Sequence, residues 1–340
     1  MTPYVLMTLL LGLGLGTTIT FASSHWLLAW MGLEINTLSI IPLMAQQHHP
    51  RAVEASTKYF LTQAAAAAVL LFASTTNAWL TGHWDIQQLS HPLPSTAITL
   101  ALALKIGLAP LHAWLPEVLQ GLTLATGLIL STWQKLAPFT ILLQIQPAPS
   151  TLMLVLGLAS TLVGGLGGLN QTQLRKILAY SSIAHLGWMS LIIQFSPPLA
   201  LVSLAAYLLM TFSTFLIFDR SASTTINALA TSWAKAPLLA ALTPLVLLSL
   251  GGLPPLTGFG PKWLVLQELT KQGLPLVATA AALTALLSLY FYLRLSYAMS
   301  LTASPTPVSG FTPWRAPSLR PTLPLAVSAA AAISLLPLTP

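Results

Sequence analysis

Apolar positions run along this chain in long unbroken stretches, without strand-like alternation and without one-sided helical stripes. Stretches of spanning length fall at about 3–21, 25–44, 57–80, 96–117, 122–145, 150–170, 174–195, 198–218, 236–271, 274–299 and 321–338. A helix needs about 20 such residues to cross a hydrocarbon core of about 30 Å. Open strands would leave backbone groups unpaired in lipid, and the stretches lack the period of two of a barrel wall. The pattern therefore predicts an all-α polytopic membrane protein of about 11 transmembrane helices. The first stretch has no basic leader and is long enough to span, so it is expected to stay in the membrane.

Composition agrees. Of 340 residues 55% are hydrophobic and only 6% charged, against roughly 25% charged in a soluble domain, too little polar side chain to cover a water-facing surface. With no cysteine, the chain can hold no thiolate-bound iron–sulfur cluster, thiolate zinc site or disulfide, and it has no Walker-type phosphate motif. Any redox chemistry must take place elsewhere.

The net charge of +7 is a topology signal and not a nucleic-acid one, because no basic run tracks a phosphate backbone. Nine basic residues fall after the second, sixth, eighth and tenth spans: Arg51, Lys58, Arg175, Lys176, Arg220, Lys235, Arg294, Arg315 and Arg320. The connections after the first, third, fifth and seventh spans carry none, and Lys271 alone falls on that depleted side. Lys and Arg resist translocation, so the N-terminus is expected inside and the C-terminus outside.

Four charges lie within spans: Glu34, Lys105, Lys135 and Lys262. Glu34 sits about nine residues from either end of its span, some 14 Å of helix rise, beyond the reach of its side chain to water. A charge at the bilayer centre costs about 2.5–3.5 kcal/mol, so four facing lipid would cost on the order of 10 kcal/mol. They must face protein or water. One acid cannot neutralise three lysines, which favours an ion or proton pathway over buried pairs that only fix packing.

Two spans are broken. Lys105-Ile-Gly-Leu-Ala-Pro110-Leu-His112-Ala-Trp-Leu-Pro116 places two prolines and a glycine in mid-span, and Gly251-Gly252-Leu-Pro254-Pro255-Leu-Thr257-Gly258-Phe-Gly260-Pro261-Lys262 is a stronger interruption. Unwound backbone at membrane depth is tolerated only where it is buried or lines a wet cavity. The broken spans are the fourth and the ninth, hence each the fourth in a set of five. An odd set reverses the second copy, so 1–147 and 148–300 are expected to be inverted repeats, followed by a loop and a last helix over 301–340. Glu34 then corresponds in position to the span that carries His185.

HWLLAWMGLEINTLSIIPLM with Glu34, KIGLAPLHAWLPEVLQG with Lys105 and His112, STWQKLAP with Lys135, RKILAYSSIAHLGWM with His185 and LSLGGLPPLTGFGPKW with Lys262 together resemble the NADH dehydrogenase subunit 2 family of animal mitochondria. These are antiporter-like membrane subunits of respiratory complex I, and the resemblance covers nearly the whole chain. The animal form lacks the first three helices of its bacterial relatives, in keeping with the span count here. The resemblance implies a proton-translocating subunit in the mitochondrial inner membrane, with its N-terminus on the matrix side and its C-terminus facing the intermembrane space.

It implies further that Glu34 and Lys105 form a coupling pair, that Lys135 passes protons onward, and that Lys262 is the terminal lysine or leads to it. His112 and His185 resemble polar links between them. No cofactor is implied on this chain; NADH, FMN, iron–sulfur clusters and ubiquinone belong to other subunits. The implied partners are other membrane-arm subunits, including neighbouring antiporter-like ones, and membrane lipids, with no nucleic acid. An Mrp-type cation/proton antiporter shares the same broken spans and lysines. A scaffold whose buried charges only hold helices together is the third possibility, and it predicts normal pumping per assembled complex when Lys135 is replaced.

Other motifs weigh less. Gly12, Gly14 and Gly16, and Gly164 with Gly168, read as close helix packing. His48 and His49 read as a solvated turn and not a metal site. Trp26, Trp79, Trp84 and Trp114 read as interfacial anchors.

Overall fold

The computed structural model describes residues 2–46, 49–89, 91–145, 150–234, 237–302 and 323–334; His48, Lys235, Arg315, Arg320 and the expected repeat boundary at 147/148 lie outside them. Among the described residues there is no sheet, only isolated backbone bridges joining His25 to Asp85 and Gln173 to Thr225. The helices are α1 (Pro3–Ala22), α2 (Trp26–Met44), α3 (Pro50–Thr81), α4 (Pro92–Ile106), α5 (Trp114–Gly121), α6 (Leu124–Ser131), α7 (Trp133–Ile145), α8 (Ser150–Gly168), α9 (Leu174–Ile192), α10 (Pro197–Arg220), α11 (Ile226–Ala230), α12 (Pro237–Gly251), α13 (Phe259–Lys271), α14 (Pro275–Leu301) and α15 (Leu323–Ser334). Six of them, α1, α2, α3, α8, α10 and α14, are each long and apolar enough to cross a membrane alone.

Local chemistry sets many of the helix starts. Pro3, Pro50, Pro92, Pro197 and Pro275 open helices, where the missing N–H costs nothing. The imidazoles of His25 and His49 accept from the backbone N–H groups of Leu27 and Arg51, in the first turns of α2 and α3, at 3.2 Å, an N-cap role for both histidines.

The fourth span is two helices, α4 and α5, and the ninth is α12 and α13, as the proline clusters predict. The fifth differs from expectation: it too is in two pieces, α6 and α7. The Thr132 hydroxyl bonds back to the Leu128 carbonyl at 2.7 Å, and Pro138 lacks the N–H that would close the turn on Gln134. The third span begins earlier than expected, at Pro50, which puts Arg51 and Lys58 on α3 and not in a connection. Two of the four tryptophans read as anchors are core residues instead: Trp26 is fully buried and Trp114 packs inside, with its indole on the first break.

With lipid as solvent, helices associate through close packing and not through water exclusion. The glycines serve that purpose. A Cβ on Gly16 would fall 2.6 Å from the Asn36 side chain, and one on Gly164 would fall 2.6 Å from the Ala184 backbone, so α1 meets α2 and α8 meets α9 at backbone contact. Gly14 has open space around it and plays no such part.

The hydrophobic core divides into two clusters by depth. One gathers Ile40, Tyr59, Leu130, Ile183, Met210 and Leu250. The other gathers Leu33, Leu70, Ala137, Leu186, Tyr207 and Val265. Along α2, α3, α9 and α10 the chain passes from one cluster to the other; Glu34, Asn36, Gln63 and His185 stand at those crossings, with Lys135 in the first turn of α7 and Lys262 in the first turn of α13. A polar layer thus lies between two apolar ones.

Candidate functional site

The layer is built on the helix breaks. At the first, α4 ends on Gly107, held at φ +88°, and the chain resumes as helix at Trp114. Pro110 can donate to nothing, so the interrupted backbone is satisfied from outside: the Trp114 indole donates to the Leu104 carbonyl at 3.1 Å, Gln63 to the Lys105 carbonyl at 3.4 Å, and the Ala109 N–H to Ser160 Oγ at 2.9 Å. Lys105, in the last turn of α4, is 6% exposed and its ammonium has no hydrogen-bond partner.

At the second break α12 ends on Gly251 and Gly252 turns at φ +81°. Lys262, on the far side of the break, reaches back and donates from Nζ to the Gly251 carbonyl at 2.8 Å. The hydroxyls of Ser249 and Thr257 converge on the Ala332 carbonyl, which pins α15 against the break.

Lys135, on α7 just past the third break, is 2% exposed. Its ammonium donates to Tyr207 Oη at 3.0 Å and lies 5.0 Å from the centre of that ring. Tyr207, fully buried on α10, donates in turn to the Ser131 carbonyl at 3.0 Å, an acceptor freed by the end of α6. The Tyr207 and His185 rings lie 5.5 Å apart. His185 Nδ1 sits 2.7 Å from the Ser181 carbonyl, and Nε2 is buried with no hydrogen-bond partner.

Two small cavities complete the row. One of about 20 Å³ touches Lys105 and Lys135 and is lined by Asn36, Thr37, Gln63 and Gln134. The other, also about 20 Å³, touches His185 and Lys262. Either volume admits a water molecule. The Asn36 carboxamide, 2% exposed, has both polar atoms without a hydrogen-bond partner and borders the first cavity.

Of the six residues singled out in the sequence, Lys105, Lys135, His185 and Lys262 therefore fall on one row through cavity, tyrosine and cavity. Glu34 stands at its start: partly buried, it accepts from the Thr37 hydroxyl at 3.2 Å and interacts with Lys105 electrostatically, without a direct ion pair. His112 lies apart. It is partly exposed on the unwound segment, 3.3 Å from the Pro110 carbonyl, and borders neither cavity. Tyr207 was missed from sequence. The available signal was a phenol at the centre of an apolar span, whose hydroxyl must find a partner when buried.

Broken helices, a mid-depth polar layer and lysines buried without carboxylate partners define a polytopic membrane protein of the ion-translocating, broken-helix class. Comparison with known proteins narrows this. The family described as NADH:quinone oxidoreductase/Mrp antiporter matches residues 23–288, and the one described as NADH dehydrogenase subunit 2 C-terminus matches residues 289–340. The NADH-ubiquinone oxidoreductase chain 2 of Tetraodon nigroviridis is 72% identical over 100% of this chain and 98% of its own, and that of Oncorhynchus mykiss is 70% identical with the same coverage. A chain of respiratory complex I from Thermus thermophilus superposes with a TM-score of 0.87 at 31% identity, over 100% of this chain and 78% of that one. A chain of the Mrp complex from a Dietzia species shares the fold, with a TM-score of 0.75 at 20% identity over 84% of this chain and 59% of that one. This chain belongs to the NADH:quinone oxidoreductase/Mrp antiporter family, in its NADH dehydrogenase subunit 2 branch.

Proposed function

We infer that this chain is a core membrane-arm subunit of NADH:ubiquinone oxidoreductase that moves protons across the mitochondrial inner membrane, driven by quinone reduction elsewhere in the complex. The observation that carries the reading is the shared polar cavity between Lys105 and Lys135, inside a layer with far more buried cations than acids. Without cysteine, the chain leaves electron transfer to its partners, which hold NADH, FMN, the iron–sulfur clusters and ubiquinone. Its own share of the work is proton handling.

Glu34 sets the first step. A carboxylate nearby favours the charged form of a lysine, and the low dielectric of the layer disfavours it. A small displacement of Glu34 relative to Lys105 therefore changes how firmly Lys105 holds its proton, and a released proton reaches Lys135 through the cavity lined by Asn36, Gln63 and Gln134. Lys135 hands on towards His185 and Lys262, and Lys262 leads to the next stretch of the membrane arm. His112 contributes as a polar link at the edge of the first break, on the exposed side of the row.

The inverted-repeat organisation, 1–147 against 148–300 with 301–340 appended, is supported by pairs of matching features. The connections flanking α2 and α3 are joined by the His25–Asp85 bridge, and those flanking α9 and α10 by the Gln173–Thr225 bridge, in equivalent places of the two sets. The N-terminus faces the matrix and the C-terminus the intermembrane space. In support, Arg175 donates to the Leu122 carbonyl and Arg294 to the Leu169 carbonyl, which brings connections of the basic side to one end of the bundle.

The test is Lys105→Met in the assembled complex. Protons moved per NADH oxidised fall; an unchanged ratio at an unchanged rate removes Lys105 from the pathway.

A further inference from the structure

One face of α2, carrying Leu33, Asn36 and Thr37 at neighbouring helical positions, lines the cavity that touches Lys105 and Lys135. Four polar groups around this cavity are engaged. Thr37 donates to the Glu34 carbonyl at 2.9 Å, Gln63 to the Lys105 carbonyl at 3.4 Å, Gln134 to the Asn36 backbone carbonyl at 3.4 Å, and Lys135 to Tyr207 Oη at 3.0 Å. The Lys105 ammonium and both arms of the Asn36 carboxamide are buried with no hydrogen-bond partner, and both residues border the cavity. Buried polar groups of this kind call for a partner, and a space of about 20 Å³ admits one water to supply it.

The first helix fixes which arm of Asn36 faces that water. A Cβ on Gly16 would fall 2.6 Å from Asn36 Oδ1, so the oxygen arm lies against the backbone of α1, in room that a glycine leaves open. Among the described residues, none from α1 lines the cavity. The oxygen arm therefore points out of the cavity, and the Nδ2 arm, on the other side of Cγ, points in. An ammonium and an amide N–H are both donors only. A water beside Lys105 and Asn36 accepts from both, and its own two hydrogens are left to face the rest of the lining, where Lys135 stands.

We propose that Asn36 is a positioning residue that holds and orients a water beside Lys105 for proton transfer towards Lys135. Lys105 gives one ammonium proton to the water oxygen as the water gives one of its own hydrogens to Lys135, which has become a neutral amine by handing its proton on. One N–H bond breaks at Lys105 and one forms at Lys135. The water gains one proton and loses one, so a single positive charge has moved and Asn36 is unchanged. The carboxamide carries no proton itself. Its N–H occupies a lone pair of the water that would otherwise be free to face Lys135, and a water turned that way passes nothing on.

The proposal rests on the proton-pumping reading above, and its test separates the two. Asn36→Leu keeps a branched side chain and replaces both polar arms by methyls; Asn36→Ala removes the arms altogether. The bond from Gln134 goes to the Asn36 backbone and survives either change. The complex is reconstituted into vesicles and protons moved per NADH oxidised are measured in H2O and in D2O, with Lys105→Met in parallel. Both Asn36 variants are expected to fall part of the way towards Lys105→Met and to fall further in D2O, because a badly oriented water passes deuterons more slowly still while wild type and Lys105→Met give the same ratio in both solvents. A wild-type ratio in either assembled Asn36 variant, with Lys105→Met lowered, overturns the role of Asn36 and leaves the pumping reading intact. A lowered ratio that is equal in the two solvents marks a packing defect and also overturns it. A wild-type ratio in all three variants overturns the pumping reading and the role of Asn36 with it. If Asn36→Leu fails to assemble, Asn36→Ala decides alone.

Discussion

The two helix breaks use one device in opposite senses. Each unwinds after a glycine in the left-handed region, at Gly107 and Gly252, and each carries a lysine close by. At the first break the lysine precedes the gap, and its ammonium is buried with no hydrogen-bond partner. At the second the lysine follows the gap and caps the helix it has left, donating to the Gly251 carbonyl. A cation on the last carbonyls of a helix is favourable in itself. Lys262 therefore ties the two sides of its break together, whereas Lys105 makes no such bond. On the proposed proton path, function and stability would be separated at the first break and shared at the second.

The difference is broken most severely through the glycines. A Cβ at Gly252 would fall 2.9 Å from Lys262 Cδ and 3.0 Å from Nζ; at Gly107 the nearest atom is 3.5 Å away, on Trp114. Both substitutions to alanine incur about 1–2 kcal/mol for the left-handed backbone. In Gly252→Ala the added methyl meets the flexible end of Lys262 and displaces its ammonium from the Gly251 carbonyl, a further loss of about 1.5–3 kcal/mol for a hydrogen bond to a charged group. Thermal release of the subunit from the solubilised complex should come earlier in Gly252→Ala than in Gly107→Ala, and only the former should also lower protons per NADH. Equal losses would mean that the two breaks are packed alike after all.

The lysines sharpen the same contrast at smaller size. Lys262→Met leaves the Gly251 carbonyl without its donor and is expected to cost about 1–3 kcal/mol of stability. Lys105→Met removes a charge that has no hydrogen bond to lose, so the complex should be as stable as wild type or more so, while pumping falls. Differential scanning fluorimetry on the two purified complexes distinguishes them, and a larger loss of stability in Lys105→Met would reverse the assignment.

How far the sequence goes can be judged at the same places. Both major breaks are legible because proline and glycine act locally: Pro110 and Pro254 remove donors wherever they stand. The buried charges are legible because lipid makes them costly whatever surrounds them. The third break is not, since the Thr132 hydroxyl bonding back to Leu128 is an option that many threonines of this chain take inside unbroken helices, as Thr62 and Thr211 do. Tyr207 is not, since its importance comes from meeting Lys135 across 72 residues of chain. His112 shows the converse: a histidine between two prolines of a broken span reads as part of the path, and the turn at Pro110 leaves it at the margin. What sequence conveys is the price of each residue in lipid; which residues meet is decided by packing.

The smallest expected effect concerns how each break's second helix is anchored. Lys58 on α3 lies 2.8 Å from both Glu54, one turn earlier, and Glu117 on α5, so the helix after the first gap is tied across to a neighbour. Among the described residues the ion pair on the helix after the second gap is Lys271 with Glu268, 3.8 Å apart within α13 itself. Lys58, Glu54, Glu117 and Lys271 are exposed and Glu268 is partly so, and ion pairs in such places contribute little and are screened by salt. Glu117→Gln should therefore lower the melting temperature slightly in low salt and not at all in high salt, with Glu268→Gln neutral in both. The direction of the difference matters more than its size, because Glu117 ties two helices whose mutual placement the first break leaves free, and Glu268 ties a helix to itself. An equal response from the two variants would place the anchoring of α5 in its apolar contacts alone, with Val118 and Leu119 buried against the core and the ion pair incidental.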